Sequence, residues 1–93
     1  MKTEDDIIML KLLGNRLNKL REEQNISLRA LAILSGLDNS KLSKIENGEV
    51  DITLTTLFQI CKGLDISPSL FMKGYPDKSS KHKKFKKIGE RKT

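Results

Sequence analysis

Apolar residues recur three and four positions apart in four stretches of the chain, the spacing of a buried helix face, and a short fifth stretch follows them. The first stripe is Leu10, Leu13, Leu17 and Leu20. Thr3 followed by Glu4, Asp5 and Asp6 marks the start of that helix, because acids in the first turn complement the helix dipole; the helix is expected to reach about Gln24. Gly14 weakens its middle. Residues 1–11 read as an N-terminal helical extension, with two forms left open: an added turn or two, or a separate arm in which Ile7, Ile8, Met9 and Leu10 dock on the body or on a second subunit.

The second and third stripes lie in SLRALAILSGLDNSKLSKIENG, residues 27–48. Ser27 is a good N-cap, Leu28, Leu31, Ala32, Leu34 and Ser35 follow on one expected face, and Gly36 can take the positive φ that ends a helix. Leu37 is expected to plug the corner. Asp38 then caps a helix whose apolar residues are Leu42 and Ile45 and whose stop is Gly48. Asn39, Ser40, Lys41, Ser43 and Lys44 are left on its outer face. Two short helices about a tight turn, with the small Ala32 at their crossing, satisfy the requirements of a helix-turn-helix. A helix about 10–12 Å across fits the major groove of B-DNA, where amide, hydroxyl and ammonium groups reach base edges.

Glu49 to Ile52 lack helical periodicity and read as a loop. Thr53 caps a fourth helix with the stripe Leu54, Leu57, Phe58, Cys61 and Leu64, weakened at its end by Gly63 and Asp65. Ser67-Pro68 opens a short fifth helix carrying Leu70, Phe71 and Met72. The fold expected is therefore all-α, five helices in residues 12–75, followed by a basic tail at 76–93 that has no amphipathic period and reads as disordered when free.

Charge divides the chain in the same place. Residues 1–75 hold ten Lys or Arg and ten Asp or Glu, whereas residues 76–93 hold eight and two, so the whole excess of +6 lies in the tail. The case for a DNA-binding body thus rests on its pattern, and the tail reads either as a phosphate-tracking segment or as a solubilising one. The single cysteine forms no intramolecular disulfide, the N-terminus is acidic where a signal peptide is basic, and no apolar run is long enough for a membrane span. A cytoplasmic protein with no membrane partner is expected.

Chemistry-bearing clusters are sparse. Cys61 lies in an apolar stripe and reads as core; His82 has no second ligand nearby, and Phe85 alone is weak evidence for base stacking. No metal site, no cofactor and no catalytic constellation is read, so a non-enzyme is expected.

The segments LREEQNIS, LAILSG, LSKIENG, TLTTLFQICKGLDIS and the final LF, in this order and spacing from Arg16 to Phe71, resemble the helix-turn-helix domain of the phage repressor and Cro family, also called the Xre family. The resemblance implies a lambda-repressor-like DNA-binding domain acting as a sequence-specific transcriptional regulator, a repressor on a palindromic operator. It places Asn39, Ser40 and Lys44 as base readers with Lys41 and Ser43 close by, and Ser27, Arg29 and Asn47 as phosphate contacts. It also implies an ion pair between Arg21 and Glu46 that ties the reading helix to the scaffold. Two departures stand out: Leu28 where the family often has Gln, and Glu49 and Asp51 where it often has basic residues. A homodimer is expected, since a short reading head gains specificity on a palindrome, with Leu64, Ile66, Leu70, Phe71 and Met72 as the candidate interface or, equally, as intrachain core. Two alternatives remain: an antitoxin that represses its operon and binds a toxin, and an adaptor of the same fold that meets proteins rather than DNA.

Overall fold

A computed structural model describes residues 2–73, which form α1 (Glu4–Glu23), α2 (Leu28–Ser35), α3 (Asn39–Glu46), α4 (Leu54–Leu64) and α5 (Pro68–Met72). The expected tail at 76–93, with its disorder, His82 and Phe85, lies outside the described residues. No strand occurs among the described residues.

Local chemistry fixes the helix ends. Thr3 and Asp6 form a reciprocal capping box at the start of α1; the backbone N–H groups of Ala30, Thr56 and Leu70 donate to the hydroxyls of Ser27, Thr53 and Ser67. Asp38 occupies the N-cap position of α3 but its side chain makes no cap hydrogen bond, which corrects the expected cap there. The first four helices end alike: a residue of positive φ, namely Asn25, Gly36, Gly48 or Asp65, is followed by an N–H that returns to a carbonyl five residues back. Asp65 is therefore a turn former at the end of α4 and not merely a weak helix residue.

α1 runs unbroken across Lys11 and Leu12, so residues 4–11 are added turns of the same helix. Its Leu17 and Leu20 join Leu31, Leu42, Ile45, Ile60, Cys61, Leu64 and Phe71 in one core. Burying each of the larger side chains contributes about 1.5–3 kcal/mol relative to exposure. Two stripes differ from expectation. Leu34 is 54% exposed beside Ile33, because α2 turns Leu28, Leu31, Ala32 and Ser35 inward. In α4 the buried face is Thr56, Ile60, Cys61 and Leu64, and Leu54 and Phe58 are 66% and 51% exposed on the other side. Thr56 tolerates burial because its hydroxyl bonds to that of Thr53 at 2.9 Å.

Two of the helix contacts use glycine. A Cβ at Gly14 would overlap the backbone carbonyls of Ile45 and Glu46 at the end of α3, and one at Gly63 would meet Leu31 Cδ1 at 2.9 Å on α2. Gly14 and Gly63 are thus the small residues where α1 meets α3 and α4 meets α2, and Ala32 of α2 packs partly buried against the core. Leu64 and Phe71 belong to that core, 1% and 0% exposed, and are withdrawn from the candidate interface because they have no surface to offer a second subunit.

Candidate functional site

α3 is pinned by its apolar side and its C-terminal end. Leu42 and Ile45 are buried against the other helices, which turns the remaining positions outward. Asn39, Ser40 and Lys44 are exposed, Ser43 is half-buried between them, and Asn47 is exposed as the C-cap. With spacings of three and four, Ser40, Ser43, Lys44 and Asn47 share one polar face. Lys41 leans elsewhere: its ammonium donates to Thr56 Oγ1 of α4 at 3.4 Å. At the start of α2, Ser27 and Arg29 are both exposed; the Ser27 hydroxyl accepts from Ala30 N–H, and Arg29 follows in the first turn.

The C-terminal end of α3 is held by charge. Arg21 Nε donates to Glu46 Oε2 at 2.7 Å and Nη2 to Oε1 at 3.3 Å, while Nη1 donates to the carbonyl of Ile26 at 2.8 Å. Asn18 Nδ2 adds a 3.0 Å bond to Glu46 Oε1. The two charged side chains are only 14% and 10% exposed, so the pair is desolvated and its geometry matters. The hydrogen bond to Glu46 outweighs desolvation and raises the Arg21 pKa further above its ordinary range. One helix turn before Asn18 and two before Arg21, Gly14 admits the α3 backbone itself.

Three of these side chains, Asn18, Arg16 and Gln24, were not identifiable as site supports from pattern alone. Arg16 donates to the carbonyls of Leu70 and Phe71, and Gln24 to that of Leu64 at 2.6 Å, closing the ends of α5 and α4. Gly14 did carry a signal, since a mid-helix glycine costs about 1 kcal/mol against alanine and is retained where no Cβ fits.

The loop after α3 is acidic. Asp51 pairs with Lys2 at 3.4 Å in the open, a contact worth little in water. Among the described residues no group of His, Cys, Asp or Glu gathers as metal ligands, and no helix is long and apolar enough to cross a membrane. Cys61 is buried and its thiol pKa is pushed up by that burial.

Two short helices joined at a glycine turn, the second buried on one side, polar on the other and anchored at its end, define a helix-turn-helix protein. The profile of the HTH_3 helix-turn-helix family matches residues 17–71, and the chain belongs to this Xre/Cro-like family. It is 40% identical over 58 residues to the HTH-type transcriptional regulator PuuR of Escherichia coli; the match covers 62% of this chain and 31% of PuuR. It is 40% identical over 57 residues to the control protein C.MunI of Mycoplasma, covering 60% of this chain and 77% of that protein. Among solved structures, the restriction-modification controller protein C.AhdI of Aeromonas hydrophila superposes with a TM-score of 0.67 at 34% identity, over 69% of this chain and 97% of C.AhdI. The chain thus spans about a third of PuuR and most of the two controller proteins.

Proposed function

We propose that this protein is a transcriptional regulator that reads a specific site on double-stranded DNA with α3. The observation that carries the reading is the exposed polar face of that helix, held against α1 by Gly14 and by the bonds of Arg21 and Asn18 to Glu46. Asn39, Ser40, Ser43 and Lys44 supply amide, hydroxyl and ammonium groups for base edges; a neighbouring amide suits adenine and a lysine suits guanine. Lys41, drawn to Thr56, takes a lesser part. Ser27 and Arg29 at the start of α2 and Asn47 at the end of α3 are exposed for phosphate contacts, and the free N–H groups at the start of α2 favour phosphate. Lys44→Ala is expected to relax discrimination at one base pair by about 1–3 kcal/mol, read by selecting bound sequences from a random duplex pool. An unchanged motif for that variant would remove Lys44 from the reading face.

We infer further that the protein represses from a palindromic operator as a homodimer. The apolar surface left by the core supports the homodimer: Leu54 and Phe58 on α4, with Leu70 and Met72 on α5, are exposed, and Ile66 lies half-buried between the two helices. Phe58 and Ile66 line one shallow apolar groove, Leu54 and Met72 another. Phe58 lies outside the buried core and is 51% exposed, so Phe58→Glu is expected to stay folded and to sediment as a monomer at tens of micromolar. A dimeric mass for that variant would place the interface elsewhere.

A further inference from the structure

We propose that Asp38, the residue from which α3 begins, accepts a hydrogen bond from the amino group of a cytosine and so reads one base of the site; this rests on the reading of α3 given above. Thr3, Ser27, Thr53 and Ser67 each give a side-chain oxygen to the N–H groups of the helix they open, whereas the Asp38 carboxylate makes no such bond. Its backbone carbonyl still accepts from Leu42 N–H at 3.0 Å, so the first turn of α3 closes without the side chain. Asp38 is exposed, and its carboxylate has no ion pair among the described residues. The helix neighbour that could neutralise it is Lys41, three positions on. That ammonium donates instead to Thr56 Oγ1 on α4, which also takes the hydroxyl of Thr53 at 2.9 Å. Asp38 is left as a bare acceptor one residue before Asn39, at the end of the helix that such motifs bring to base edges.

The chemistry of the major groove selects that base. An ionised carboxylate only accepts hydrogen bonds. Guanine offers two acceptors there and thymine one beside a methyl group, adenine sets its amino donor next to the N7 acceptor, and cytosine offers a donor alone. Guanine and thymine therefore repel the group, and cytosine satisfies it. Phosphates repel it as well, since a duplex carries one negative charge per about 1.7 Å. Asp38 thus adds discrimination and no general affinity, unlike Arg29 and Lys44, whose exposed charges attract any duplex. A carboxylate in this place also complements the helix dipole, a role that is blind to DNA sequence.

The test uses Asp38→Ser and Asp38→Asn in the full chain. Both residues are good N-caps, so each variant is expected to fold, which circular dichroism melts check. Bound sequences are then selected from a random duplex pool, and affinities are measured for the selected site and for mixed-sequence duplex. The parent is expected to hold a cytosine at one position of its motif. Asp38→Ser loses that preference, on the order of tenfold, and Asp38→Asn moves it to adenine, which an amide pairs through N6 and N7. All other positions stay as in the parent, and both variants bind mixed-sequence duplex at least as tightly as the parent does. A parent motif kept at every position by both variants would overturn this inference alone. So would weakening by one factor on every duplex, the mark of a purely structural role. A parent that selects no motif overturns the reading of α3, and this inference with it.

Discussion

Replacing Gly14 by alanine is expected to lower the melting temperature by roughly 10 °C, although alanine is the better helix former by about 1 kcal/mol. The added methyl group would fall inside the carbonyls of Ile45 and Glu46, which are backbone atoms and cannot swing aside. Relief requires α1 and α3 to separate, and overpacking of this kind costs about 1–3 kcal/mol or more. The displaced element is the reading helix, so DNA affinity should fall by more than the loss of folded protein explains. Circular dichroism melts alongside duplex titrations check both parts. A melting temperature that rises would mean that the two helices have room between them.

Loss of the Arg21–Glu46 pair is the second large effect. Removing either side chain leaves the other charge with little water around it, and the cost is about 3 kcal/mol or more. Arg21→Ala and Glu46→Ala are therefore each expected to melt far below the parent, and the double variant is expected to recover part of the loss because no charge is stranded. The Arg21 pKa is raised, so its contribution is complete below the ordinary guanidinium range and is lost only as the pH climbs through and beyond it. Arg21 titration thus contributes no pH dependence of stability near neutrality. Additive losses in the double variant would show two independent surface charges instead of a pair.

The five helices were legible in the sequence because their signals are local. Ser27, Thr53 and Ser67 cap as their types dictate, Gly36 and Gly48 adopt positive φ where the chain must turn, and Leu17, Leu31, Leu42 and Ile45 lie at the spacing of a buried face. Facing was harder. A stripe read at spacings of three and four from Leu54 selects Phe58, whereas the buried face of α4 starts from Thr56 and includes Ile60; choosing between them depends on how α4 packs against α2, distant in sequence, and against α5. The same holds for Leu64 and Phe71, whose spacing fits core and interface equally and which join Leu17, Leu31 and Ile60 in one core only in the folded chain. Gly14 read as a weak point in a helix and is a contact surface, a meaning that exists only once α3 lies against it. The polar residues of α3 were identifiable from one short stretch because exposure there follows directly from burying Leu42 and Ile45.

The central claim is that α3 reads a specific duplex sequence, and selection of bound sites from a random duplex library by the full-length protein tests it most directly. Recovery of one motif with two inverted half-sites is the predicted result, with its strongest positions degraded by Lys44→Ala. Recovery of no motif from a folded, binding-competent preparation would contradict the claim and leave the polar face of α3 without a role in sequence recognition.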